Sequence, residues 1–363
     1  MRLRSLETTV LRIPTDRPEA DGTIAWDSTT VVLVEARSSD GGYGLGWTYA
    51  SAAAATVVHE VLQPAIDALD LSDVRAAWNA MVAAVRNVGR HGIGATAISA
   101  VDVALWDLWS RAQGLPLYRA LAPSRTSVPI YGSGGFTSYT VDELTEQLGG
   151  WAASGIPRVK MKIGTSWGTQ IDTDLARITA AREAIGPTAE LFIDANGAYS
   201  TKQAIRLAHN VEGVTNYFEE PVSSDQLREM HVVRRSISQD VAAGEYAWDP
   251  WSFAAIVDAG AVDILQADAT RCLGVTGFLI AGDIAYSAGL RFSAHCSPTI
   301  HAHVGCAVPQ LSHVEYFHDH ARIEDMLFEG LPNRVGGDLA PHADRPGLGL
   351  ELKRRDAERY RAA

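Results

Sequence analysis

From Ser127 onward the chain repeats one unit, a short strand-like run followed by a helical one. Eight such strands are readable, at 128–131, 158–163, 190–194, 216–219, 241–245, 262–266, 290–294 and 312–316. Seven lead into a plausible helix, and the eighth is expected to lead into the short run at 323–327. Eight βα units in succession predict a closed (β/α)8 barrel of the α/β class. A doubly wound sheet is the competing fold, but no GxGxxG follows an early strand.

The first 125 residues have a different texture. Two β-rich stretches, 6–13 and 30–36, flank a segment at 15–28 that reads as a loop. Gly41, Gly42, Gly44 and Gly46 suggest a turn, and helical patterns follow. The clearest spans 93–112, where Ile98, Val101, Leu105 and Leu108 recur at helical spacing. The expected organisation is an α+β capping domain over 1–125, a barrel over 126–330, and a tail over 331–363. The PGLGLEL of the tail is a candidate extra strand returning to the first domain.

In a barrel, alternate side chains of each strand point inward. In RVKMKIG the apolar set Val159, Met161 and Ile163 must face the helices, which turns Lys160 and Lys162 inward. The same alternation turns Gln266 and Asp268 inward, and likewise Arg291, Ser293 and His295. A lone Lys-x-Lys is ordinarily a solvated strand edge, and a lone Glu-Glu-Pro a turn. Here one polar signal stands at each successive strand end. Burying an unpaired charge costs roughly several kcal/mol, so repeating it requires a metal or a mechanism. C-terminal strand ends are where barrel active sites lie.

Asp194, Glu219 and Glu245 end three adjacent strands and converge on one point. Without a cation they repel, and at least one tends to stay protonated. Hard oxygen ligands select Mg2+, Mn2+ or Ca2+ over zinc. His301 and His303 lie on different faces of a helical segment and offer no zinc pair. On one side of the carboxylates stand Lys160 and Lys162, two ammonium groups expected to lower each other's pKa and yield a base. On the other stands His295, whose ring Asp268 can fix by a hydrogen bond. Glu315 follows on the eighth strand. A substrate α-carbon held at the metal would lie between two proton-transfer groups, with its carboxylate stabilised as an enediolate.

The set KMK at 160–162, IDAN at 193–196, FEEP at 218–221, GE at 244–245, Asp268 with His295, and Glu315 resembles the enolase superfamily, specifically its mandelate racemase-like group. The resemblance covers essentially the whole chain. It implies Asp194, Glu219 and Glu245 as ligands of Mg2+, with Mn2+ as a substitute. It also implies Lys162 as base with Lys160 tuning it, and Asp268–His295 as the acid–base pair on the other face. Glu315 would be a carboxylic acid on the substrate carboxylate, and Asn196 and Ser133 would be substrate contacts. Glu220 has no assigned role. The absence of a lysine between Val262 and Thr276 departs from the muconate-lactonizing and dipeptide-epimerase groups. The specificity loops implied are 15–28 and 46–52, carrying Asp16, Arg17, Glu19, Asp21, Trp26, Trp47 and Tyr49.

The leading expectation is a lyase of carbohydrate catabolism that dehydrates an acid sugar, aldonate or aldarate, to a 2-keto-3-deoxy acid. A racemase or epimerase of a 2-hydroxy acid, an isomerase, uses the same residues. An inactive metal-binding relative is the reading from another class. The net charge of −12 argues against nucleic acid as a partner. The apolar run at 52–58 is too short to span a membrane. Three cysteines without CxxC spacing fit a reducing compartment, and no signal peptide is readable, so a cytoplasmic protein is expected. The resemblance implies a homo-oligomer, for example an octamer.

Overall fold

The computed structural model describes residues 1–362. Three antiparallel strands open the chain: β1 (Leu3–Ala20), β2 (Ala25–Ser38) and β3 (Tyr43–Tyr49). Residues 31–36 of β2 are buried on both faces, which suits their Val/Leu/Ala content. The segment expected as a loop is instead a hairpin arm. After a register shift between Pro14 and Glu19, Glu19 pairs with Trp26 and Ala20 with Ala25. Its tight turn is closed by Asp21 Oδ1, which accepts from the backbone N–H of Thr23 and Ile24. Polar composition hid a ribbon whose strands pair only with each other.

Gly44 and Gly46 also lie inside β3, not in a turn. A Cβ on either would come within 2.1 Å of the Ala104 carbonyl oxygen or 2.2 Å of the Ala100 carbonyl oxygen. The helix Ile93–Ala112, which has the predicted bounds, therefore rests directly on the strand backbone. Buried Asp107 on that helix accepts from Leu45 N at 2.8 Å and Leu348 N at 2.5 Å, tying sheet, helix and tail together.

The barrel strands are β4 (Val128–Gly134), β5 (Arg158–Lys162), β6 (Glu190–Asp194), β7 (Tyr217–Glu219), β8 (Asp240–Ala243), β9 (Ile264–Ala267), β10 (Arg291–Ala294) and β11 (Leu311–Phe317). All neighbours pair in parallel, and β11 closes on β4 through Val314↔Ile130 to Phe317↔Ser133. Val159, Met161 and Ile163 join the large core between sheet and helices, as the alternation requires. Below the site the interior is filled by Tyr131, Phe192, Tyr217, Ala242 and Ile264, with Phe192 and Tyr217 stacked at 4.5 Å. This aromatic layer replaces the branched aliphatics usual in a barrel and floors the polar cluster above it.

In the tail, PGLGLEL meets the first domain through Gly347, which bridges Pro116 and exchanges backbone hydrogen bonds with Leu115 and Leu117. Glu351–Leu352 pairs with Phe328–Glu329, just after the last barrel helix, not with the capping sheet. The final residues add a second contact with the capping domain, where Arg12 N donates to Tyr360 O at 2.8 Å and Ala362 N to Val10 O at 2.9 Å. Arg354 adds an ion pair with Glu35. No helix among the described residues is long and apolar enough to cross a membrane.

Candidate active site

Each polar residue at the barrel mouth is placed by a strand end. Lys160 and Lys162 sit on β5 with both side chains inside, opposite Phe192 and Asp194 on β6. Glu219 ends β7 beside Asp194. Glu245 follows Gly244, whose φ of +138° turns the chain off β8 so that the carboxylate reaches the same point. A Cβ at Gly244 would lie 1.9 Å from the Gln266 carbonyl oxygen, so only glycine fits this turn. Asp268 and His295 each stand one residue beyond their strands.

The three carboxylates converge: one oxygen from each of Asp194, Glu219 and Glu245 lies within 4.8 Å of the others, all buried. Glu219 Oε2 accepts from Tyr217 OH at 3.0 Å and Gln266 Nε2 at 3.1 Å. Glu245 Oε2 is buried and makes no hydrogen bond, although His295 Nε2 stands 3.2 Å away. Three hard oxygen donors, one of them unpartnered, suit a Mg2+-type cation. Burial and the Asp194 charge push Glu219 well above the usual carboxylate range, and burial with Glu245 does the same to Glu220. This is the protonation expected of crowded carboxylates without a cation.

The lysines behave differently from expectation. Lys160 Nζ lies 2.6 Å from Glu219, 2.7 Å from Glu315 and 3.2 Å from Asp194, and Lys162 Nζ lies 2.5 Å from Asp194. Burial opposes their charge, yet Glu219 and Glu315 outweigh it at Lys160, and Asp194 outweighs it at Lys162. Both pKa values are therefore raised. Repulsion between the two ammonium groups is present at Lys162 but is smaller than the pull of Asp194. The sequence shows two adjacent cations, and only the fold shows that each has an acidic partner.

On the far side, His295 Nδ1 donates to Asp268 Oδ2 at 2.9 Å. Asp268 Oδ1 is occupied by Thr270, through its N–H and hydroxyl at 2.7 Å each. Burial raises the Asp268 pKa, but the bond and charge of His295, with Arg271, outweigh it and hold the group below the carboxylate range. The ring is thereby fixed with Nε2 directed toward Glu245 and the cavity. Glu315 Oε1 accepts from Ser133 Oγ at 2.6 Å, and its Oε2 accepts from Cys296 N at 2.9 Å. Burial would raise the Glu315 pKa, but Lys160 beside it holds it well below the usual range. In this state Glu315 accepts hydrogen bonds and cannot donate one.

A cavity of about 340 Å³ opens above these groups, lined by Lys162, Asn196, Glu245 and His295 among the expected residues. Asn196 has φ +43° and a buried Oδ1 without a partner. Ser133 is fully buried and positions Glu315, and it does not line the cavity. From the capping loops Asp21, Trp26 and Tyr49 line the wall, whereas Trp47 is core, packed on Phe328 at 4.8 Å. Asp16, Arg17 and Glu19 do not line the cavity. His301 and His303 are structural: His301 Nε2 accepts from Ala269 N, and His303 Nδ1 accepts from Tyr118 N.

Several wall residues escaped the sequence reading, Arg271 and His320 among them. Arg271 lies 3.4 Å from Glu245 and 3.5 Å from Asp268. Its place three residues past Asp268 was a usable signal. His320 stacks on Tyr49 at 3.4 Å between centroids, and nothing in its local sequence announces that.

Residues 143–357 match the family model described as enolase C-terminal domain-like. Residues 6–121 match the mandelate racemase/muconate lactonizing enzyme N-terminal domain. The L-talarate/galactarate dehydratase of Salmonella typhimurium is 29% identical over 89% of this chain and 80% of its own. Among solved structures, a mandelate racemase/muconate lactonizing enzyme-like protein from Rubrobacter xylanophilus is 49% identical, covers 100% of both chains and superposes with a TM-score of 0.96. A racemase from Streptomyces coelicolor A3(2) with bound magnesium is 27% identical over 99% of this chain and 100% of its own, with a TM-score of 0.93. Similar relatives also include cycloisomerases and a dipeptide epimerase. The chain belongs to the mandelate racemase/muconate lactonizing enzyme family of the enolase superfamily.

Proposed function

We propose that this protein is a Mg2+-dependent enzyme that removes the proton α to a carboxylate and dehydrates an acid sugar to a 2-keto-3-deoxy acid. The observation that carries this reading is that Lys162 and the Asp268-held His295 line one cavity with Glu245 between them. Asp194, Glu219 and Glu245 would hold the cation, which supplies charge stabilisation to the substrate carboxylate as its α-proton leaves. His295 Nε2 takes the α-proton; Lys162 Nζ, held protonated by Asp194, would do so only where a bound cation draws Asp194 away from it. His295, carrying a proton on Nε2, delivers it to the departing 3-hydroxyl, so that water leaves and the enol becomes the 2-keto acid. Asp268 stabilises the imidazolium that forms in between. Glu315, held by Lys160 and Ser133, anchors Cys296 N behind the cavity wall, and Asn196 offers its unpartnered Oδ1 to a substrate hydroxyl.

The wall favours an aldonic over an aldaric acid. Among the described residues the Lys and Arg side chains lining the cavity are Lys162 and Arg271, and both are engaged by site carboxylates. The capping end offers Thr30, Ser51 and the carboxylate of Asp21, which suits hydroxyl groups and leaves a second substrate carboxylate without a cation. The related dehydratase named for talarate and galactarate thus differs in its expected substrate.

The experiment is incubation of the Mg2+-loaded protein with aldonic and aldaric acids. Formation of a 2-keto-3-deoxy product supports the reading, and failure of every acid to yield one sinks it. The two proton-transfer groups also permit racemisation or epimerisation, which solvent deuterium entering the α-carbon without loss of water would show. We further infer a cytoplasmic homo-oligomer, with an octamer as the state to test by analytical ultracentrifugation. Three buried free cysteines support the reducing location.

A further inference from the structure

The hairpin arm carries a second group of metal-type donors, remote from the catalytic carboxylates in sequence and outside the cavity wall. Asp16 and Glu19 on β1 meet His318, the first residue of the helix His318–Leu327 on the barrel. One ligand atom from each lies within 4.8 Å of the others, the same closeness that marks Asp194, Glu219 and Glu245. His318 Nε2 is 3.0 Å from Asp16 Oδ2 and 3.1 Å from Oδ1.

Glu19 supplies the independent observation. Its side chain is fully buried, and Oε2 accepts from the Trp26 indole N–H at 2.8 Å. Its Oε1 is buried with no partner at all. A buried carboxylate oxygen left unsatisfied is costly and calls for an unseen donor or ion. The surrounding charge favours a cation. Buried Asp319 adds a third carboxylate, paired with Arg322, and Arg17 is turned away toward Glu143 at 3.3 Å. Asp16 and His318 are partly exposed, which leaves an entry path.

We propose that Asp16, Glu19 and His318 form a second metal site, for a divalent transition ion such as Zn2+ or Co2+, that clasps the capping hairpin to the barrel. One imidazole and two carboxylates suit these ions, whereas Mg2+ favours oxygen ligands alone. The clasp joins the tip of the specificity hairpin to the barrel mouth. Through Glu19 it also fixes Trp26, which lines the active-site cavity.

The test uses the full chain carrying Glu245→Gln and saturated with Mg2+, so that the catalytic carboxylates contribute little transition-ion binding. Co2+ is titrated by visible absorption, and Zn2+ by equilibrium dialysis with metal analysis. One ion per chain is expected, with affinity falling by at least about tenfold on adding His318→Ala or Glu19→Gln, as loss of even a supporting ligand does. His318 is partly exposed, so His318→Ala carries the test should Glu19→Gln fail to fold. No bound ion, or binding of equal strength in folded His318→Ala protein (an adventitious ion only), would overturn the proposal.

Discussion

Replacing Asp268 with asparagine probes the proton chemistry most directly, because the geometry dictates which way the new amide must sit. Asp268 Oδ1 receives two hydrogen bonds from Thr270. The asparagine carbonyl oxygen must keep that place, since an NH2 there would face two donors. The NH2 is then turned to His295 Nδ1, where the carboxylate now accepts at 2.9 Å. An NH2 cannot accept from Nδ1–H, so the ring changes to the tautomer protonated on Nε2. The atom facing the cavity thereby loses its lone pair. Losing a charge-assisted hydrogen bond to the imidazolium costs roughly 1.5–3 kcal/mol. The lost general-base step is worth about 10²–10⁴ in rate. We expect kcat for dehydration to fall by about 10²–10⁴ with little change in KM, and α-proton exchange in D2O to fall in parallel. The melting curve and circular dichroism check that the fold survives. A folded variant with kcat within tenfold of the parent would refute His295 Nε2 as a proton-transfer atom.

Lys160→Met leaves Glu219, Glu315 and Asp194 buried without their shared cation. Metal-free stability should drop by about 3–5 kcal/mol and recover in part with saturating Mg2+, by denaturant titration; no loss in either condition would count against the charge cluster. Gly244→Ala places a side chain at φ +138° and 1.9 Å from a carbonyl. It should cost more than about 2 kcal/mol and weaken Mg2+ binding, and an unchanged melting temperature would contradict it. Asp102, buried under Thr276 between the capping helix and the barrel, is pushed up to about 7 by burial. The folded state keeps this proton where the unfolded chain, near 3.9, has released it. Its contribution is therefore complete below about pH 4 and is lost as pH rises through about 7. Asp102→Asn should flatten that part of the stability–pH curve, worth up to about 4 kcal/mol, and an identical slope in the variant would exclude Asp102 as the source.

Repetition made the barrel legible: eight apolar strands, several with polar residues at their C-terminal ends, are readable from the period of two along a strand and need no knowledge of neighbours. The same alternation sent Lys160, Lys162, Asp268 and His295 inward, and the structure places them there. The capping domain was less readable. Gly44 and Gly46 look like turn residues until the helix lying on them is seen. Residues 15–28 look like a loop because hairpin pairing across Pro14 and Glu19 depends on a register shift that composition does not encode.

The sequence by itself determined the fold class, the three converging carboxylates and the ionisable groups that flank them, since periodicity and strand order are local properties. Tertiary structure alone decided how those charges are shared. It set Lys160 among three acids, took Ser133 off the cavity wall, brought Arg271 and His320 onto it, and left Glu19 with an unpartnered oxygen at the hairpin. Protonation and contact depend on distances between segments far apart in the chain, and only folding sets those distances.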